Sequence, residues 1–139
     1  MRKILLVSHG LMAMGMFEAY KMIVGQNENI RYICLSDGKD IEEFKMELNM
    51  LSHWMNADDE LIVLSDIMGG SPYMTTIQYL QDHSLMEQTK MISGMNLPLV
   101  LTIGLSSHFD DEVLLNVIND AKNGIQLFEY CDDESDDEL

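Results

Sequence analysis

Apolar and polar positions fall into blocks whose period changes along the chain. Lys3-Ile4-Leu5-Leu6-Val7 reads as a strand buried on both faces, because its apolar side chains leave no solvent face. After Gly10, apolar residues recur at Ala13, Met16, Phe17, Tyr20, Ile23 and Val24, the three-to-four spacing of one helical face, and Gly25 supplies a stop. Residues 30–35 are a second strand candidate. Asp40-Ile41-Glu42-Glu43 has the form of a capping box, and Ile41, Phe44, Leu48, Leu51 and Met55 then predict one face of a second helix. Leu61-Ile62-Val63-Leu64-Ser65 is the strongest strand signal in the chain. Pro72 fits the first turn of a helix running towards Asp82 through Ile77 and Leu80, because its missing N–H costs nothing there. Lys90-Met91-Ile92-Ser93 is a short fourth strand closed by Gly94, and Asn96-Leu97-Pro98 opens a helix carrying Val100, Leu101 and Ile103. Residues 107–111 read as a loop with capping residues. Val113, Leu114, Val117, Ile118 and Ala121 predict a last amphipathic helix, stopped by Gly124. Residues 125–130 are a final strand candidate.

Strands alternating with helices predict an α/β fold, a single three-layer domain over residues 1–130 with a mainly parallel sheet. Right-handed crossovers and a first strand in the middle give the order 2-1-3-4. The chain then reverses direction between strands 1 and 3, and ligands of open α/β sheets bind in that crevice, outside the carboxyl ends of the strands. His9 and Asp66 follow those two strands.

Composition narrows the class. With 139 residues and 47% apolar content the chain is long enough for one real core, and no apolar run approaches the roughly 20 residues that span a bilayer. Met1-Arg2-Lys3 and the short apolar run behind it lack the length and cleavage site of a secretory signal. Cys34 and Cys131 have no metal or redox spacing, which points to buried or inert thiols in a reducing compartment, the cytoplasm. The net charge is −16, and seven acids among residues 129–139 leave the body at about −9. Such a surface repels nucleic acid and anionic lipid and steers a basic protein partner towards it. Residues 131–139 read as an acidic, disordered tail.

The candidate chemistry sits in two loops, Val7-Ser8-His9-Gly10 and Asp66-Ile67-Met68-Gly69-Gly70-Ser71-Pro72. A metal site would want further His, Cys or carboxylate ligands at close spacing, and none is in register, so no metal is expected. His53, His83 and His108 read as solvated or locally hydrogen-bonded side chains. A nucleophilic histidine needs one ring nitrogen deprotonated and the other N–H held by a carboxylate. Asp66 is the candidate acid for His9. Gly10 presents no side chain to an approaching ligand, the amides of Gly69, Gly70 and Ser71 at a helix start form an anion cradle, and the Ser71 hydroxyl adds a donor. A histidine, an orienting acid and a phosphate-sized cradle spell phosphoryl transfer through a phosphohistidine. Each piece alone has a plainer reading: a turn histidine, a common Gly-Gly-Ser-Pro helix entry, an acid capping its own turn. A Ser71 hydrolase lacks the nucleophile elbow, because Tyr73 stands at the second glycine position. No nucleotide-binding glycine pattern is present, so no cofactor is expected.

Leu6-Val7-Ser8-His9-Gly10, Asp66-Ile67-Met68-Gly69-Gly70-Ser71-Pro72 and Gly94-Met95-Asn96-Leu97-Pro98 together resemble three signatures of one family, in the right order. It is the IIA component of the mannose-family phosphoenolpyruvate-dependent sugar phosphotransferase system. The resemblance implies a protein-histidine phosphotransferase whose His9 takes phosphate from phospho-HPr and passes it to a IIB component, which serves a membrane IIC/IID transporter. It also implies that Asp66 orients His9 and that Ser71 contacts the phosphoryl group. A homodimer follows from it, in which residues 125–130 are an edge strand pairing antiparallel with the partner's sheet. Met12, Met68 and Met74 depart from the residue types frequent at their positions and are expected to line the rim, where they bear on partner fit. Two alternatives share these residues: a regulatory module sensing phosphorylation, and the phosphotransfer subunit of a dihydroxyacetone kinase.

Overall fold

The strands form where the apolar runs are unbroken, and a parallel sheet is the arrangement that buries such runs on both faces. The computed structural model describes residues 1–106 and 110–132. Among them, strands β1 (Arg2–His9), β2 (Ile30–Leu35), β3 (Glu60–Ser65) and β4 (Thr89–Ile92) alternate with helices α1 (Met12–Ile23), α2 (Ile41–Leu48), α3 (Leu51–Trp54), α4 (Ser71–Asp82), α5 (Leu97–Leu105) and α6 (Asp111–Lys122). The sheet order is β2-β1-β3-β4, as expected, and every pairing is parallel. The register sets Leu5 beside Val63 and Leu6 beside Leu64, so alternate residues feed two separate cores. Ile4, Leu6, Ile62 and Leu64 pack with α1, α5 and α6, while Leu5, Val7, Leu61 and Val63 pack with α2, α3 and α4. Three layers result.

The second helix differs from its sequence reading. The expected single helix is divided into α2 and α3 at Asn49 and Met50, whose amides bond three residues back, to Met46 and Glu47. Leu48, Leu51 and Trp54 are buried at steps of three, the period of a tighter turn, and Trp54 rather than Met55 ends the buried stripe. The stripe of α1 also stops early, with Ile23 and Val24 exposed. A single 3-10 turn, Met86–Gln88, precedes β4 and has no apolar period to announce it. Asp40 caps α2 by accepting from the Glu43 N–H, and Asp110 caps α6 by accepting from the Val113 N–H. Residues 107–109 of the expected loop, and 133–139 of the expected tail, lie outside the described residues.

Residues 125–130 form no strand within the single chain. Ile125, Leu127, Phe128 and Tyr130 stand exposed there. Cys34 is buried, as a structural thiol would be, whereas Cys131 is exposed. Among the described residues, no helix is long and apolar enough to cross a membrane.

Candidate functional site

β1 and β3 are neighbours, so their carboxyl ends deliver His9 and Asp66 side by side from positions 57 residues apart in sequence. The Asp66 Oδ2 atom accepts from the His9 backbone N–H at 2.8 Å and lies 2.8 Å from the His9 Nδ1 atom. Asp66 Oδ1 accepts from the Ile67 N–H at 2.8 Å, so the acid also caps its own turn. Burial alone would raise the Asp66 pKa. The hydrogen bonds from the His9 backbone and ring and from Ile67 outweigh it and hold the carboxyl below its ordinary value. An ionised carboxylate only accepts, so Nδ1 is the donor to it, and in the neutral ring Nε2 keeps its lone pair. The Asp66 side chain is 10% exposed and that of His9 45%, so the acid is sheltered while the ring meets solvent.

Gly70 shapes the other side of the ring. A Cβ at this position would stand 2.7 Å from His9 Cε1 and 3.4 Å from Nε2, so the Cε1–Nε2 edge faces bare glycine backbone and any side chain there would displace the ring. Gly70 is also the N-cap of α4, with Ser71 exposed at the first helical position and Pro72 following it. The first intrahelical donor is the Met74 N–H, to the Gly70 carbonyl, which leaves the amides of Gly70, Ser71 and Tyr73 among the orphan donors of a helix start. Gly10 has a different role from open access alone. Its φ of +56° lets the chain turn out of β1, and its N–H donates to the Leu35 carbonyl of β2. Gly69 turns the second loop with a φ of +81°.

The structure thus brings together His9, Asp66, Gly10, Gly69, Gly70 and Ser71. His83 belongs elsewhere: it stacks on Tyr79 with ring centroids 3.9 Å apart, and its Nδ1 lies 2.8 Å from the Tyr79 carbonyl. Among the described residues, no group of three or more His, Cys, Asp and Glu side chains converges as metal ligands would.

Three supports escaped the sequence reading. The buried Ser8 Oγ accepts from the Ala13 N–H at 2.7 Å, tying the His9 turn to the start of α1. Its signal was a hydroxyl directly after the apolar run Ile4-Leu5-Leu6-Val7. The Ser65 Oγ donates to the Ile67 carbonyl at 3.3 Å, bracing the acid loop from below. The amides of Gly94 and Met95 donate to the carbonyls of Asp66 and Ser65, at 3.1 and 3.0 Å, so the loop after β4 holds the acid loop in place. Around the site, Leu11, Met12, Ile67, Met68 and Met74 are exposed apolar side chains on the segments that carry it.

Comparison with known proteins identifies the family of the chain. The family described as the PTS system fructose IIA component matches residues 3–114. The fructose-specific EIIA component of Bacillus subtilis is 25% identical over 94% of this chain and 87% of that protein. The mannose-specific EIIAB component of Escherichia coli K12 is 22% identical over 88% of this chain, which spans only 38% of that longer protein. The crystal structure of the PTS IIA protein associated with the fucose utilization operon of Streptococcus pneumoniae superposes with a TM-score of 0.77, at 27% identity over 91% of this chain and 92% of that one. Because the family match spans most of its length, this chain belongs to the EIIA-man family, the IIA components of the sugar phosphotransferase system.

Proposed function

We propose that the protein carries a phosphoryl group on His9 Nε2, accepting it from phospho-HPr and passing it to a IIB component. The observation that supports this reading best is the double claim of Asp66 Oδ2 on the His9 backbone and ring Nδ1, each at 2.8 Å. It fixes the tautomer and turns the Nε2 edge towards the start of α4. In the step proposed, the Nε2 lone pair attacks phosphorus as the donor's nitrogen–phosphorus bond breaks, and the donor imidazole leaves with the bonding pair. His9 becomes a cationic phosphoimidazole that keeps its Nδ1 proton, and Asp66 stabilises that charge. The amides of Gly70, Ser71 and Tyr73 and the Ser71 hydroxyl face the phosphoryl oxygens, with Gly10 and Gly69 shaping the loops around them. Transfer to IIB reverses the same movement.

The exposed apolar side chains of Leu11, Met12, Ile67, Met68 and Met74 give protein partners an adaptable surface around the reacting nitrogen. The functional domain in this reading is residues 1–130 followed by the acidic tail, working in the cytoplasm as a homodimer. Incubation with phosphoenolpyruvate, enzyme I and HPr tests the carrier role. The expected result is an acid-labile, base-stable phosphate at one per chain, discharged by a cognate IIB. Uptake that persists in His9→Ala overturns it.

A further inference from the structure

Three cations gather at the end of the sheet opposite His9 in an acidic molecule. Of the eight Lys and Arg residues in a chain of net charge −16, Lys3, Lys21 and Arg31 line one open cleft at the amino ends of β1 and β2. The cleft holds about 700 Å³, inside the range of about 300–1,000 Å³ typical of small-molecule sites. Lys3 is the second residue of the strand that His9 ends, so about 20 Å of extended chain separates cleft from site.

Its cations are held in place in advance. Trp54 is anchored by its indole N–H, which donates to the Glu28 carbonyl at 3.2 Å. The Arg31 guanidinium carbon lies 5.1 Å from the centre of that ring and Lys3 Nζ 5.5 Å from it. Lys3 is committed further, donating to Asn29 Oδ1 at 2.9 Å and standing 3.9 Å from the buried Asp59 carboxylate. Arg31 is not: it is exposed, and among the described residues its guanidinium makes no hydrogen bond or ion pair. Among the described residues, Lys21 keeps an exposed contact with Glu18 at 3.5 Å and stands 5.6 Å over the Phe17 ring. Gln26 and Asn29 add amide groups to the lining, and Glu28 contributes its single carboxylate. Arg31 is thus the cation of the cleft with neither hydrogen bond nor ion pair among the described residues, and the space far exceeds a bare phosphate ion.

We infer that this cleft binds a phosphate monoester of a small polyol, a ligand of the sugar-phosphate class. Arg31 and Lys21 take the phosphate and the amides of Gln26 and Asn29 meet hydroxyl groups. The inference stands apart from the carrier role of His9.

Trp54 is the sole tryptophan and sits beside Arg31, so the full chain reports binding by its own fluorescence. Glucose 6-phosphate, glucose and inorganic phosphate are titrated in parallel, with melting temperature as a second readout. The expected result is saturable binding of glucose 6-phosphate in the millimolar range or tighter, weaker binding of phosphate and none of glucose. Arg31→Gln weakens it about tenfold or more, the loss of one charge-assisted contact. Lys90→Gln removes the same charge from an exposed residue on the opposite edge strand, where it pairs with Asp111, and leaves binding unchanged. Silence in both readouts overturns the assignment. So does equal binding of phosphate and glucose 6-phosphate, or equal weakening by the two variants.

Discussion

Asp66 Oδ2 meets both the backbone N–H and the ring Nδ1 of His9, so one oxygen sets the loop and the tautomer together. An amide in its place can donate to Nδ1 and push the ring proton onto Nε2, the nitrogen meant to react. Asp66→Asn is therefore expected to slow phosphoryl uptake by about 10²–10⁴-fold, the scale on which losing the correct tautomer acts in histidine-dependent catalysis. Stopped-time transfer from labelled phospho-HPr measures this. The same carboxyl gives a pH dependence. Its folded pKa is depressed, so its contribution to stability is complete above the unfolded value of about 3.9 and is lost as pH falls through the lower folded value. Denaturant unfolding should show the gap between parent and Asp66→Asn closing as the solution is taken below about pH 4. Gly70→Ala places a Cβ 2.7 Å from His9 Cε1, and the ring must move. Uptake should fall about 10²-fold with an unchanged circular dichroism spectrum, since a displacement of that size misaligns the nucleophile. His9 and Asp66 were legible in the sequence because each follows a strong strand. The distinct duties of Gly69 and Gly70 were not, because the close approach of residue 70 to a ring 61 positions away exists only after folding.

Among elements, the helix starts carry the information. Asn96 caps α5 by accepting from the Leu99 N–H at 3.0 Å, and its Nδ2 donates to the Ala121 carbonyl at the end of α6 at 2.8 Å. The capping half was readable from Asn-Leu-Pro. The clasp to α6 was not, because it joins residues 25 apart through side-chain geometry. Asn96→Ala is expected to cost about 1–2 kcal/mol, read as a lower midpoint in urea. Asn96→Asp keeps the cap and loses only the clasp, so its midpoint should fall between the two. The division of α2 from α3 was equally hidden. Phe44, Leu48, Leu51 and Trp54 fall on one stripe whether the backbone turns at 3.6 or at three residues, and only the bonding at Asn49 and Met50 decides.

For the whole molecule, the sheet order followed from strand signals, right-handed crossovers and a first strand set in the middle, and it located the crevice that holds His9. The destination of residues 125–130 did not follow, since an apolar alternation looks the same whether its partner is this chain or another. Ile125, Leu127, Phe128 and Tyr130 lie exposed, and among the described residues the last strand of the sheet, β4, has one unpaired edge. Pairing of this segment with β4 of a second copy would cover both. A Leu127→Asp, Phe128→Asp double variant should then sediment as a monomer under conditions where the parent sediments as a dimer, and a monomeric parent would contradict the exchange.

The central claim is that His9 Nε2 is the phosphoryl acceptor while Nδ1 keeps its proton on Asp66. Long-range proton–nitrogen NMR of the protein phosphorylated by phospho-HPr tests it most directly. The account predicts phosphorus coupling to His9 Nε2 and a protonated Nδ1. Phosphate found on Nδ1, or on any other residue, contradicts it.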